Sequence, residues 1–357
     1  MKRTRVLVVE DSLTVRKYLV ETLANDPELE VVGEAEDGRA AIELARALRP
    51  DVITLDMMMP VMTGVSVTEY VMAHFPTPIL IVSASMNRGE VYRTYDALAA
   101  GAVDVLDKPN GDVADANWEE RFLRAVKIVS RIRVITHPRL RLGAFGRPSP
   151  HPLAAEPFAE HSACRVVAIG ASTGGPGAVL EVLRALPERY PIPILLVVHI
   201  GIPFGVAFAE WLDAQAPHRV TYAIDNEPFP HTGGCVVVAP PDRHLAVERG
   251  RLRLSAAPER FSCRPSVDVL FESVAKEFGS ASVACLLTGM GRDGASGLLD
   301  IRRAGGFTIA QDEATSVVFG MPREAILLGA AERVLPLGEI GPFLADVPNQ
   351  GTARGFR

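Results

Sequence analysis

Two sets of side chains in this sequence have the residue types and the order that chemistry requires. The first is acidic. Glu10 and Asp11 follow the apolar run 5–9, Asp56 follows 51–55, Ser83 follows 79–82, and Lys108 follows 103–106, just before Pro109. Three carboxylates gathered in one place repel one another and need a cation. Oxygen-only ligation with room for water suits Mg2+, with Glu10, Asp11 and Asp56 as the ligands. A carboxylate held beside such an ion attacks a phosphoryl group as a nucleophile. Lys108 then stabilises the added charge and the Ser83 hydroxyl reorients toward it. Singly, a carboxylate at a strand end is usually a helix cap, and a lysine before proline is usually solvated. The joint placement, at four of five run ends, carries the reading.

The second set centres on a serine. After the apolar run 166–169 comes Gly170-Ala-Ser172-Thr-Gly174-Gly175-Pro176, followed by the helical stripe Val179, Leu183, Leu186. This matches G-x-S-x-G, a serine on a tight elbow over a helix N-terminus whose amides can hold an oxyanion. A dinucleotide loop requires glycine at 172, and a P-loop ends in Gly-Lys-Ser/Thr, so both rivals fail on spacing. A plain tight turn without chemistry remains open on this motif alone. A serine nucleophile needs a base and an orienter. His199 ends the apolar run 194–198, and Asp293 lies among Gly289, Gly291 and Gly294 after the run 283–287. Three glycines around one aspartate imply close backbone approach. His244 is the competing base, and His199 could equally be a buried structural histidine. The chain order Ser…His…Asp disfavours the α/β-hydrolase fold, which runs Ser…Asp…His.

The elements that would position these groups alternate strand and helix. In residues 1–125 the runs 5–9, 30–33, 51–55, 79–82 and 103–106 are strands. Val15, Leu19 and Leu23, then Ala41, Leu44, Ala45 and Leu48, mark helices between them. Alternation predicts a parallel sheet covered on both faces, and five units fit the doubly wound flavodoxin-like pattern. In such a sheet the strand ends converge on one crevice. Residues 126–163 change character, with a helix expected over 118–132, then five prolines (138, 148, 150, 152, 157) and scattered arginines. This reads as a proline-stiffened linker; the absence of interleaved aromatics speaks against a nucleic-acid arm. Alternation resumes in 164–348, with strands at 166–169, 194–198, 236–239, 283–287 and 307–310 and helices at 177–186 and 266–277. Residues 349–357 read as a frayed, disordered tail. The expected fold class is thus α/β, with two doubly wound parallel-sheet domains.

Composition bounds the function. The 357 residues are 48% hydrophobic, with 37 basic against 43 acidic residues and a net charge of −6, so wholesale disorder is excluded and the chain is a poor global match for nucleic acid or an anionic membrane. Cysteines at 164, 235, 263 and 285 form no CxxC pair, which points to reduced thiols rather than a disulfide framework or zinc site. The basic start runs into an apolar stretch too short for a signal peptide, and no apolar run reaches eighteen residues, so neither membrane insertion nor export is expected and the cytoplasm is the expected home.

Asp56-Met-Met-Met-Pro60-Val-Met-Thr-Gly64 and Asp107-Lys108-Pro109 resemble the phosphoacceptor loop and lysine motif of response-regulator receiver domains. The resemblance implies that Asp56 is phosphorylated by a sensor histidine kinase. Residues 170–176, Val197-Val198-His199, Arg264-Pro-Ser-Val-Asp268, residues 288–294 and Ile309-Ala-Gln-Asp312 resemble, in order, the CheB family of chemotaxis methylesterases. The two resemblances cover nearly the whole chain outside the linker and tail, and imply a flavodoxin-like receiver joined to a Rossmann-like methylesterase domain. They imply Ser172, His199 and Asp293 as the catalytic residues, methyl-accepting chemotaxis receptors as substrate, a CheA-type kinase as phosphodonor, and hydrolysis of glutamyl methyl esters, with glutamine deamidation beside it. The amides near Thr173 and Met290 are candidate oxyanion donors. Mg2+ is expected in the receiver, and the esterase is expected to need no cofactor. The family also implies that the unphosphorylated receiver blocks the esterase. Three positions depart from the family pattern: Val105 replaces an aromatic switch residue, Ile200 a methionine, and Cys263 a histidine. A receiver joined to a DNA-binding output would instead carry a basic helix-turn-helix, and a non-catalytic Rossmann module would carry a phosphate loop; the sequence has neither.

Overall fold

Runs of β-branched residues buried on both faces make the strands, and amphipathic segments make the helices that cover them. The computed structural model describes residues 3–84, 88–109, 117–132, 134, 164–230 and 233–350. The chain divides into two compact units, Met1–Pro148 and Ser149–Arg357. Of the expected linker, residues 133 and 135–163 lie outside the described residues.

The first unit runs β1 (Thr4–Val9), α1 (Leu13–Ala24), β2 (Leu29–Ala35), α2 (Gly38–Leu48), β3 (Val52–Leu55), α3 (Gly64–His74), β4 (Ile79–Ser83), α4 (Arg88–Ala99), β5 (Asp104–Asp107) and α5 (Trp118–Val129). The sheet order β2-β1-β3-β4-β5 is the doubly wound flavodoxin-like one, and every pairing is parallel. β3 and β4 are buried throughout, which explains their apolar sequences, relieved only by Thr54 and Ser83. Local chemistry fixes the helix starts. Asp37 caps α2 through its carboxylate, which accepts from the amides of Arg39 and Ala40. Trp118 is buried, stacks on Phe122 at 4.9 Å, and donates its indole N–H to the Asp107 carbonyl at 2.7 Å. α5 stops at Val129 rather than 132, as the Ser130 hydroxyl turns back onto the Lys127 carbonyl.

The second unit runs β6 (Val166–Ala171), α6 (Gly175–Arg184), β7 (Ile194–Val198), α7 (Ile202–Gly205), α8 (Phe208–Gln215), β8 (Arg219–Tyr222), β9 (Cys235–Val238), β10 (His244–Glu248), β11 (Arg251–Ser255), α9 (Val267–Phe278), β12 (Ser282–Leu286), α10 (Ala295–Arg303), β13 (Phe307–Gln311), α11 (Met321–Leu327), β14 (Arg333–Leu335) and α12 (Leu337–Gln350). Seven parallel strands lie in the order β14-β13-β12-β6-β7-β9-β8. The chain winds outward from β6 in one direction and returns to build the other side from β12. The crevice at such a reversal, beyond the C-terminal strand ends, is where α/β sheets place their sites.

Three features differ from the sequence expectation. The edge strands β8 and β14 are short and partly exposed, so they lack a continuous apolar run. β10 and β11 form an antiparallel hairpin whose turn, Arg249-Gly250, has positive φ at both positions. It is pinned to α9, because Val247 N–H donates to Ser273 Oγ and Gly250 N–H to the Glu277 carboxylate. Finally, α12 extends through Gln350, into the segment expected to fray; residues 351–357 lie outside the described residues. No helix among the described residues is long and apolar enough to cross a membrane.

Candidate active site

Ser172 and His199 leave neighbouring strands at the same level. Ala171 pairs with Val198 across β6 and β7, and the His199 amide donates to the Ala171 carbonyl at 3.0 Å. The serine turn needs Gly174, which takes φ +76° as it starts α6 and where a Cβ would sit 2.6 Å from Val317 Cβ. The turn is tied to the end of β12. Ser172 N–H donates to the Thr288 carbonyl at 3.0 Å, the Thr288 hydroxyl donates to the Thr173 carbonyl at 3.0 Å, and Gln311 Oε1 accepts from Thr288 N–H at 2.8 Å. Gly289 abuts the serine: a Cβ there would sit 2.7 Å from Ser172 Cβ.

The structure brings His199 and Asp293 together. His199 Nε2 lies 2.9 Å from Asp293 Oδ2. Asp293 is 2% exposed and is fully engaged, accepting from Ser266 Oγ at 2.7 Å, Val267 N–H at 2.6 Å and Asp268 N–H at 3.2 Å. It therefore caps the first turn of α9 as well as orienting the imidazole. Burial pushes the Asp293 carboxyl up, but His199 and the helix-start donors outweigh it and hold the group below the usual carboxylate range. Burial pushes His199 down, yet Asp293 and Cys263 beside it lift the imidazole to about 9. The other ring nitrogen, Nδ1, faces Cys263 Sγ at 3.6 Å. Among the described residues the Ser172 hydroxyl makes no hydrogen bond to this ring, so the structure pairs two members of the expected set and leaves the third on the adjacent strand end.

His244, the competing base, is structural. It is 2% exposed; its Nδ1 accepts from Ser266 N–H at 3.1 Å and its Nε2 faces the Pro258 carbonyl at 3.2 Å. Those partners lock the segment that presents Ser266 to Asp293. Met290 and Thr173 flank the serine turn, and among the described residues neither amide donates to a main-chain carbonyl. A cavity of about 420 Å³ opens here, lined by Phe261, Cys263, Met290, Arg292, Asp293 and Glu324. The Arg292 guanidinium lies over the Phe261 ring at 4.4 Å.

The positioning roles of several residues escaped the sequence reading, although Ser266 and Asp268 lie in a motif it quoted. Ser266 and Asp268 sit beneath Asp293; Asp268 is buried, donates its amide to Asp293, and accepts from Gly297 N–H at 2.7 Å. Burial and the neighbouring Asp293 charge push its carboxyl up to about 6, against the pull of that Gly297 bond. Ser266 just before an apolar helical stripe is a cap signal, so it was findable. The Thr288–Gln311 bond joins residues 23 apart, one in the loop after β12 and one at the end of β13, and no local pattern encodes it.

In the first unit the acidic set also converges. Carboxylate oxygens of Glu10, Asp11 and Asp56 lie within 4.8 Å of one another, with Glu10 and Asp56 buried and Asp11 exposed. Lys108 Nζ stands 2.9 Å from Asp56 Oδ2 and 3.0 Å from Glu10 Oε2. Burial, then the Asp56 charge, raises Glu10 to about 7, with Lys108 pulling the other way. Burial raises Asp56 as well, against the same lysine. Burial would lower Lys108, but Asp56 and Glu10 hold it above its ordinary value. Among the described residues, Asp56 Oδ1 is buried without a hydrogen-bond partner. An orphaned oxygen among three hard carboxylate donors fits a divalent oxygen-seeking cation such as Mg2+. Ser83 pairs with Asp107 across β4 and β5, next to Lys108, but its hydroxyl donates to Glu90 Oε1 on α4 at 3.0 Å. Val105 pairs with Ile81 in the aromatic-switch position.

Comparison with known proteins places this geometry. Residues 167–344 match the CheB methylesterase family and residues 6–114 the response regulator receiver domain. The chain is 44% identical over 344 residues to protein-glutamate methylesterase/protein-glutamine glutaminase 2 of Anaeromyxobacter dehalogenans, covering 96% of both chains. It is 42% identical over 347 residues to protein-glutamate methylesterase/protein-glutamine glutaminase of Nitrosospira multiformis, again covering 96% of both. The crystal structure of the Thermotoga maritima CheB methylesterase catalytic domain is similar to 52% of this chain and 98% of its own, at 36% identity and a TM-score of 0.49. The chain belongs to the CheB methylesterase family, with a response regulator receiver domain ahead of its methylesterase domain.

Proposed function

We propose that the protein is a phosphorylation-regulated, cytoplasmic protein-glutamate methylesterase. Its substrates are glutamyl methyl esters on methyl-accepting chemotaxis receptors, from which it releases methanol, and it also deamidates receptor glutamines to glutamate. The observation that carries this reading is the His199–Asp293 pair at the end of the strand next to Ser172. Asp293 occupies Nε2, so the proton of Ser172 passes to Nδ1 once the hydroxyl turns onto that nitrogen. Catalytic hydrogen bonds that are open without substrate commonly close in the complex. Ser172 then attacks the ester carbonyl, the amides near Thr173 and Met290 hold the oxyanion, and the imidazolium protonates departing methanol. Water hydrolyses the acyl-enzyme by the same base. The esterase carries out these steps with its own side chains and needs no cofactor.

In the receiver, Glu10, Asp11 and Asp56 would hold Mg2+, which offsets phosphoryl charge when bound. Asp56 accepts a phosphoryl group from a CheA-type histidine kinase. Lys108 then shifts its contact from the bare carboxylate to the phosphoryl oxygens, and Ser83 leaves Glu90 for the same group. That exchange biases the receiver toward a state that frees the esterase. With Val105 at the aromatic-switch position, the Ser83–Glu90 exchange carries the switch. Methanol release from methylated receptor, measured with and without a small phosphodonor, tests the whole reading: release that rises with the phosphodonor supports it, and a chain that releases no methanol in either condition overturns it.

A further inference from the structure

We propose that Cys263 is a modification site: a small disulfide of the glutathione type exchanges onto its sulfur, using His199 as base, and thereby shuts the adjoining esterase centre. The site is built rather than incidental. Cys263 Sγ lies 3.6 Å from His199 Nδ1, and the opposite nitrogen of the same ring is held by Asp293 at 2.9 Å. Sulfur, imidazole and carboxylate thus stand in the order of a thiol relay, in which a base activates the nucleophile and a carboxylate orients the base. The loop carrying the thiol is fixed in place. Arg260 and Cys263 exchange main-chain hydrogen bonds, and between them Phe261 and Ser262 both take left-handed φ, +51° and +61°. Such backbone is costly for residues with a side chain and persists only where the surroundings hold it.

The sulfur is reachable. Cys263 is half-buried and lines the cavity of about 420 Å³ beside Met290 and Arg292. The remaining thiols are placed differently: Cys285 is fully buried, and burial pushes the thiols of Cys164, Cys235 and Cys285 up, away from thiolate. The thiolate is the species that attacks disulfides.

The exchange balances. Once rising pH has freed the ring of its proton, toward about 9, His199 takes the Cys263 proton; the thiolate attacks one sulfur of R–S–S–R; that S–S bond breaks as the Cys263–S–S–R bond forms; and the departing R–S⁻ takes the proton back from the imidazolium. One protein thiol is oxidised and half of the reagent is reduced to R–SH. A second thiol attacking the mixed disulfide reverses it. The adduct occupies the cavity and the approach to Nδ1, the nitrogen that Ser172 must reach. The adduct chemistry stands on this geometry alone, whereas its effect on methanol release rests on the esterase reading above, so mass spectrometry and activity report separately.

The test uses the full chain and oxidised glutathione at a pH near 9, where His199 serves as a base, with peptide mapping to locate the adduct. The expected result is that Cys263 takes the adduct roughly 10-fold or more faster than Cys164, Cys235 or Cys285, as a base-activated thiol should. Methanol release falls in step with the adduct, and dithiothreitol restores both. His199→Gln keeps the thiol but slows the adduct by a similar factor, while treated Cys263→Ser keeps the rate of its own untreated form. First labelling at another cysteine, labelling of His199→Gln as fast as wild type, or full methanol release from protein carrying the Cys263 adduct would each overturn the proposal.

Discussion

The Asp293 carboxylate holds His199 Nε2 at 2.9 Å with the same oxygen that accepts the Val267 amide at the start of α9. One carboxylate thus orients a base and starts a helix. The imidazole is therefore as rigid as the packing of α9 against the sheet, which is what positioning for proton transfer requires.

Asp293→Asn keeps the shape but removes the charge that balances an imidazolium and the acceptor that fixes the tautomer. kcat/KM for methanol release is expected to fall by about 10⁴-fold. Asp293→Ala additionally strands the Val267 and Asp268 amides and the Ser266 hydroxyl, at about 1–3 kcal/mol for a buried unsatisfied group, read as a lower urea midpoint.

With His199 lifted to about 9, the ring is cationic at neutral pH and becomes a base only as pH rises. Methanol release should therefore climb with pH toward about 9. Because the folded imidazole titrates above its unfolded value of about 6.5, its contribution to stability is full below about 6.5 and disappears as pH rises through about 9. Cys263 is one of the causes of the lift, so Cys263→Ala should move the activity limb to lower pH. NMR titration of the ring with parallel rate profiles checks both.

Asp56→Asn removes the phosphoryl acceptor, and chelation of divalent cations strips the ion that Glu10, Asp11 and Asp56 would share. Either change should erase the stimulation of methanol release by a phosphodonor. Ser83→Ala should still take up phosphoryl at Asp56, measured as acid-labile phosphate, while losing most of the stimulation, because the hydroxyl now on Glu90 is the group that must move.

His244→Ala removes the acceptor of the buried Ser266 amide and should cost about 1–3 kcal/mol in unfolding free energy. The pH limb of methanol release should stay where wild type has it, because His244 holds a loop and moves no proton.

Much of this was legible from the sequence because chemistry and topology coincide. The strands that lead to Glu10, Asp56, Ser172, His199 and Asp293 are largely buried and written as mostly apolar runs. What escaped lies where burial is one-sided or partners are distant. β8 alternates exposed and buried residues, and the β10–β11 hairpin alternates Leu and Val with Arg and Glu around an Arg-Gly turn. The cap of Ser266 on Asp293 and the Gln311 hold on Thr288 join separate elements and are visible only when folded. Cys263 stood out as a departure from its family, but its contact with Nδ1 depends on a left-handed pair of residues that no propensity predicts.

The most direct measurement is the rate at which Ser172→Ala releases methanol from methylated receptor, compared with wild type under the same phosphodonor. Loss of the nucleophile should lower the rate by about 10⁴-fold or more while the circular dichroism spectrum is unchanged. Release at the wild-type rate would contradict the assignment of Ser172, and with it the relay through His199 and Asp293.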